Sequence, residues 1–253
     1  MKEAVLGYGV EALSVEACAD SLFSTVQGAD VRRCAWLACL NPHSYAVALD
    51  DPTFSRALRA ADWLIPDGAG VVLASRLQGG RIAERVTGSD VFFGLHRRMT
   101  AAGGMSVFFL GATEETLAAI RARMAVDHPE IRVAGTYSPP FKPEYSAEDN
   151  NAMIAAINAS KADVLWVGMT APKQEKWIFE NRARLNVKFA GAIGAVFDFY
   201  TGRVKRSHPV FQRLGLEWLP RLVQQPRRLW RRMFVSAPIF VWHVLKQKVG
   251  FFG

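Results

Sequence analysis

Short apolar runs alternate with helix-period segments through most of this chain, and that alternation admits few folds. The runs at 34–40, 63–66, 106–110, 131–134, 164–168 and 189–193 have strand length and are bounded by turn residues. The first, Cys34-Ala35-Trp36-Leu37-Ala38-Cys39-Leu40, is apolar throughout, as a strand buried on both faces requires. After the turn at Asn41-Pro42-His43-Ser44 a periodic segment runs to about residue 60, and 71–77, 113–126, 147–159 and 173–185 also place apolar residues at helical spacing. Strands joined by helices lie parallel, so the expected fold class is α/β with a mainly parallel sheet.

Ligands of such sheets bind outside the carboxyl ends of the strands. Asn41, Asp67, Gly111 and the loop after Gly168 fall at such ends and are expected to share one cleft. The most pointed stretch is Trp63-Leu64-Ile65-Pro66-Asp67-Gly68-Ala69-Gly70-Val71-Val72, a strand, a tight turn and a helix start. Gly68 and Gly70 let the backbone approach a ligand, and the helix start offers free N–H groups and a positive dipole end. An acid there repels a phosphate, so Asp67 either caps the helix or serves another purpose. The nicotinamide-dinucleotide fingerprint is absent, because Leu73 stands at the third glycine position.

Other junctions carry weaker signals. Gly111-Ala112-Thr113 opens a helix with Thr113 as its N-cap, which suits either a nucleotide or a plain helix start. In Ala171-Pro172-Lys173-Gln174-Glu175-Lys176-Trp177, Pro172 fits a first helical turn; three long polar groups follow, suited to a sugar or phosphate or simply solvated. Arg85 offers a clamp for phosphate or carboxylate but is equally at home in an ion pair, and Ser89 and Asp90 read as a cap for the next helix. The proline-rich 137–143 reads as a connector, with mobility an option. The histidines (43, 96, 128, 208 and 243) are scattered and no metal-ligand spacing occurs, so no metal site and no cofactor are expected. Three cysteines in unrelated contexts point to a reducing compartment without a disulfide frame.

The net charge of +8 is unevenly placed. Residues 203–253 hold eleven Lys and Arg against one acid, Glu217, for a net +10, while the first 202 carry 20 bases and 22 acids, a net of −2. Basicity confined to the tail is not the surface of a nucleic-acid-binding protein. Arg221 and Arg228 share a helix face with Arg232 one turn on, and Trp218, Trp230, Phe234, Phe240 and Trp242 supply rings suited to a membrane interface. No run reaches the roughly 18 apolar residues of a spanning helix: 233–245 is shorter and carries Pro238 and His243. No secretory signal opens the chain, so the expected location is cytoplasmic. The tail reads either as a helix lying on anionic lipid or as a helical pair packed on the core.

Several motifs recur in a fixed order: Asn41, Pro66-Asp67-Gly68-x-Gly70, Glu84-Arg85-x-x-Gly88, Ala171-Pro172-Lys173-Gln174-Glu175-Lys176-Trp177, Phe197-Asp198, Gly202-Arg203-x-Lys205-Arg206, Leu214-Gly215-Leu216-Glu217-Trp218-Leu219-x-Arg221-Leu222 and Gln225-Pro226-Arg227-Arg228. Together they resemble the WecG/TagA/CpsF glycosyltransferase family over about residues 35–235. The resemblance implies a Rossmann-like catalytic core, residues 1–202, and a basic aromatic appendage, 203–253, for membrane association and active-site completion. It implies transfer of a hexose or N-acetylhexosamine from a UDP-sugar donor to a polyprenyl-diphosphate-linked saccharide acceptor, at the inner face of the cell membrane. Members build exopolysaccharide, teichoic acid linkages or common antigen.

By matching position, the resemblance makes Asp67 the general base, Asn41 a sugar-pocket residue, Arg85 and Gln174 cleft residues, and Arg221, Arg228 and Arg231 arginines of the appendage. Gly68, Gly70 and Gly111 complete the expected substrate-binding set. Cys39 stands where the family often has Thr, which leaves the donor sugar unassigned. Direct displacement by an acceptor oxygen inverts the anomeric centre, and no second carboxylate argues for a covalent intermediate. A nucleotide-sugar-modifying or NAD-dependent enzyme and a nucleic-acid-binding module stay open as other classes, and a homo-oligomer stays open because nothing in the sequence names the oligomeric state.

Overall fold

The computed structural model describes residues 1–28, 33–204 and 230–250 of the 253. Six strands form one parallel sheet: β3 (Ala35–Leu40), β4 (Trp63–Pro66), β5 (Ser106–Gly111), β6 (Arg132–Tyr137), β7 (Val164–Gly168) and β8 (Phe189–Ala192), in the order β4-β3-β8-β7-β5-β6. The α/β expectation holds, and each of the six apolar runs overlaps a strand, although β6 continues three residues past its run. Every residue of β5 is buried, as apolar side chains on both faces of a covered sheet must be.

Helices cover both faces. On one lie α1 (Val15–Gln27), α5 (Gly88–Ala102), α6 (Glu114–Asp127) and the short α9 (Val196–Tyr200), which bury Leu22, Phe92, Ile120 and Phe197 against Trp166 and Phe109 of the sheet. On the other lie α2 (Pro42–Asp50), α3 (Pro52–Ala60), α4 (Ala69–Leu77), α7 (Ala147–Ser160) and α8 (Lys173–Asn181), with Tyr45, Phe54, Val71, Ile157 and Trp177 around Trp36, Leu110 and Leu165.

The periodic stretch after Ser44 is two helices rather than one. Pro52 has no N–H to continue α2, and Asp51 ends that helix and caps the next through a bond from Phe54 N at 2.9 Å. Of the expected Ser89 and Asp90 cap of α5, Asp90 takes part but the N-cap is Thr87: Thr87 Oγ1 accepts from Asp90 N at 3.2 Å, and the Asp90 carboxylate accepts from Thr87 N at 2.9 Å, a reciprocal cap. A hairpin of β1 (Lys2–Val5) and β2 (Tyr8–Glu11) precedes the sheet, its turn made by Leu6 and Gly7, both at positive φ.

Near the carboxyl terminus a π-helical turn (Arg232–Ser236) leads into α10 (Ala237–Lys248), which packs against α2 and α4. Phe240 and Val244 are buried in the core there, and Phe240 stands edge-on to Tyr45 with ring centroids 5.4 Å apart. Polar contacts frame the seam: His43 Nδ1 to Ser236 Oγ at 2.9 Å, Tyr45 OH to His243 Nδ1 at 2.6 Å, and Gln78 Nε2 donating to Gln247 Oε1 at 2.8 Å. Phe240 is thus a core residue and not one of the rings available to lipid. Trp230, Phe234, Val241, Trp242 and Leu245 remain exposed. Among the described residues no helix is long and apolar enough to cross a membrane.

Candidate active site

The carboxyl ends of all six parallel strands open into a cleft of about 990 Å³. Asn41, Asp67, Arg85, Gly111 and Gln174 all line it. The topology explains the convergence, since parallel strands deliver every strand-to-helix turn to the same edge.

Asp67 follows the last residue of β4. Its N–H donates to Leu40 O at 2.8 Å, extending the pairing of β4 with β3 by one residue and fixing where the carboxylate starts. It does not cap α4: the N-cap is Gly68, which provides no side-chain acceptor. Instead Asp67 Oδ2 accepts from Asn41 Nδ2 at 3.3 Å. Asn41 is itself locked, because its Oδ1 accepts from His43 N at 3.0 Å and Ser44 N at 2.9 Å at the head of α2. Ser44 Oγ accepts in return from Asn41 N at 2.8 Å. With its oxygen committed to the cap, Asn41 can present only its N–H₂ to the cleft.

Gly68 and Gly70 shape this turn without lining the cleft. Gly68 sits at φ +128°, and a Cβ on Gly70 would fall 2.6 Å from Pro42 Cγ, so Gly70 is the contact that lets α4 lie against α2. Gly111 does line the cleft, but a Cβ there would lie 2.6 Å from Gly168 O. Its bareness serves the close approach of β5 and β7.

Neither end of Gln174 is solvated. Its Oε1 accepts from Gly194 N at 3.0 Å, and its Nε2 donates to Glu175 Oε1 at 2.9 Å. Both residues are buried, and burial pushes the Glu175 carboxyl up to about 7. The first turn of α8 is therefore neither solvated nor an open polar comb. Cys39 also lines the cleft; burial, then the negative charge of Asp67, holds its thiol well above the ordinary range, so it is un-ionised.

The proline-rich segment after β6 forms one wall. Ser138 Oγ donates to Ala112 O at 2.7 Å, Tyr145 OH to Met169 Sδ at 3.6 Å, and Lys173 donates to Lys142 O while its ammonium lies 3.7 Å from the Tyr145 ring centroid. More than a connector, this segment ties the end of β6 to the chain leaving β5 and β7. Thr113 caps α6 by accepting from Thr116 N at 3.3 Å, and Arg203 pairs with Glu115 at 2.9 Å beside it. The cleft gathers Arg85, Arg203 and Arg232 together with Lys142 and Lys173, alongside the acids Asp67, Glu114, Glu175 and Asp198, and the arginines suit a diphosphate. Arg231 is exposed and does not line it, whereas Arg232 does; Arg221 and Arg228 lie outside the described residues. Asp198, from another of the matched motifs, also lines the cleft. Among the described residues no three His, Cys, Asp or Glu side chains converge as metal ligands.

Three of these features escape the sequence. Arg232 and Arg231 are neighbours in a helical tail, and only packing decides which faces inward. Glu175 sits in a turn position that is ordinarily wet. The 138–145 wall is marked only by its prolines.

The glycosyl transferase WecG/TagA/CpsF family model matches residues 3–251. An N-acetylglucosaminyldiphosphoundecaprenol N-acetyl-beta-D-mannosaminyltransferase of Bacillus spizizenii is 34% identical over 219 residues, 87% of this chain and 82% of that protein. One of the same name from Bacillus subtilis is 30% identical over 217 residues, 85% of this chain and 80% of that protein. The match takes in the sheet, the cleft and α10 alike, and the chain belongs to the WecG/TagA/CpsF glycosyltransferase family.

Proposed function

We propose that this protein transfers a hexose or N-acetylhexosamine from a UDP-sugar to a polyprenyl-diphosphate-linked N-acetylglucosamine, in cell-surface polysaccharide synthesis. The acceptor class is that in the names of its relatives. The observation that carries the reading is Asp67, a carboxylate held by the Asn41 amide, 3.3 Å away, in a cleft that Arg85 and Arg232 also line.

Asp67 takes the proton of the acceptor hydroxyl as its oxygen attacks the anomeric carbon. The bond from that carbon to the diphosphate breaks with its electron pair, and UDP leaves with the added charge. One displacement inverts the anomeric centre. Base catalysis of this kind contributes about 10²–10⁴-fold. Arg85 and Arg232 neutralise the charge developing on the leaving diphosphate, aided by the α6 N-terminus at the cleft. Arg221 and Arg228 are proposed to add to this charge from the tail. Residues 1–202 then act as the catalytic core, and 203–253 close the site and meet the inner face of the cell membrane. The exposed Trp230, Phe234 and Trp242 and the basic residues around them supply the lipid contact.

The test is incubation of the full chain with a panel of UDP-sugars and a short-chain lipid-diphosphate-N-acetylglucosamine. Transfer from one donor with release of UDP supports the reading, and the anomeric configuration of the product tests inversion. Absence of transfer from every donor contradicts it.

A further inference from the structure

Glu175 is a buried carboxyl group that the transfer chemistry above does not use. It sits in the first turn of α8 against the cleft, 2% exposed. Its Oε1 accepts from Gln174 Nε2 at 2.9 Å, and its Oε2 is buried with no hydrogen-bond partner among the described residues. An ionised carboxylate with one oxygen orphaned in that position carries a large desolvation penalty, whereas a neutral carboxylic acid leaves only one O–H unmatched.

Among the described residues no cation compensates a charge on Glu175. Lys173 and Lys176, on the same helix, are turned elsewhere: Lys173 to the Tyr145 ring and Lys142 O, Lys176 to Asp51 at 3.0 Å. From β3 the Cys39 thiol is un-ionised, and from the end of β4 Asp67 adds negative charge that acts on the same thiol. Arg85 and Arg232 line the cleft, but no ion pair joins either to Glu175 among the described residues. Desolvation is the largest influence on the group, and it raises the carboxyl from 4.5 to about 7.

The consequence runs through Gln174. A side-chain amide has one accepting end and one donating end, and here both are assigned. Gly194 N–H requires the oxygen, and Glu175 Oε1 requires the N–H₂. Glu175 therefore dictates which way the amide faces, and the amide in turn holds the backbone at Gly194, where the chain leaves β8 at φ +55° to form the 192–198 wall of the cleft. A charge on Glu175 would still accept from Gln174 but would leave Oε2 ionised and unmatched in this packed seam, which favours entry of water there and loosens the relay.

We infer that Glu175 is a positioning residue that works in its neutral acid form, orienting Gln174 and through it setting the Gly194 wall of the sugar-transfer cleft. The inference deepens the proposed function and rests on it for its activity readout. It also places a second carboxyl group in the site with the opposite protonation to that required of Asp67, since a base must be ionised and this group must not.

The test compares wild type with Glu175→Gln, which keeps an oxygen for Gln174 and cannot ionise, and with Glu175→Leu, which fills space but accepts nothing. The wild-type kcat/KM should fall roughly tenfold or more between about pH 6.5 and about pH 8.5 as the proton is lost. Glu175→Gln should lack that alkaline fall, and Glu175→Leu should be impaired throughout. An alkaline fall in Glu175→Gln equal to that of wild type overturns the inference. Two readouts stand apart from catalysis. Infrared difference spectra between the same pH values should show a protonated carboxyl C=O band in wild type that is missing from Glu175→Gln. In thermal melts the neutral acid favours the fold below about pH 4.5, and that advantage is lost as the pH rises through about 7; wild type should therefore lose more Tm over this window than Glu175→Gln. No band and no difference in melting overturn the inference even if transfer is robust. If transfer is absent from every preparation while the band and the melting difference are present, the functional reading fails and the buried neutral acid stands.

Discussion

Asn41 Nδ2 donates to Asp67 Oδ2 across 3.3 Å, joining the end of β3 to the end of β4 at the floor of the cleft. The same Asn41 side chain caps α2 through its oxygen. One amide thus sets both a helix start and the orientation of the proposed base, so its loss should register in stability and in rate separately. Asn41→Ala removes the cap, at a cost of about 0.5–2 kcal/mol. Asn41→Ser restores a capping oxygen but cannot reach Asp67. Urea unfolding should show Asn41→Ser more stable than Asn41→Ala, while both lower kcat by at least about tenfold, the value of one misplaced catalytic group. Equal rates in Asn41→Ser and wild type would remove Asn41 from the site.

The seam between α2 and the carboxyl-terminal helix should weaken in acid. Burial, then the charges of Arg232 and Arg231, lower His43 from 6.5 to about 4, so the imidazole that meets Ser236 is neutral at ordinary pH. The unfolded chain takes up this proton more readily than the folded one. The contribution of His43 is therefore complete above about pH 6.5 and is lost as the pH falls towards about 4. In thermal melts at about pH 7 and about pH 5, His43→Gln should lose less Tm than wild type. An equal loss would place the acid sensitivity elsewhere.

The two faces of α10 should answer different assays. Phe240→Ala opens a cavity beside Tyr45 and should cost about 3–5 kcal/mol of stability, measured by urea unfolding. Replacing the exposed Trp230, Phe234 and Trp242 together by serine should leave stability within about 1 kcal/mol and sharply reduce cosedimentation with anionic liposomes at low salt. Transfer to a short, water-soluble acceptor should survive the triple replacement. Full liposome binding by that variant would refute the lipid role of these rings.

The contrast between Phe240 and Trp242 also marks how far the sequence could be read. Strand runs and the glycines after them are local signals, and they suffice to place Asn41, Asp67 and Gly111 at one edge of the sheet. On a helix, one residue turns a side chain by about 100°, so whether Arg231 or Arg232 faces inward depends on how the tail docks. Glu175 looked like part of a wet first turn because its helix start is polar; it is buried because α8 begins beneath the chain leaving β8. The Leu6-Gly7 hairpin lacks the Asn-Gly or Asp-Gly signal that marks such turns.

The central claim is that the Asp67 carboxylate is the base for glycosyl transfer, and its replacement by an isosteric amide asks this most directly. Transfer by Asp67→Asn should be compared with wild type under single-turnover conditions, using the donor that wild type accepts and a lipid-diphosphate-N-acetylglucosamine acceptor, with UDP affinity measured alongside. A fall in rate of about 10²–10⁴-fold with fold and UDP affinity retained is the expected result. Turnover near the wild-type rate would contradict the assignment and move the search for the base to Asp198, which lines the same cleft.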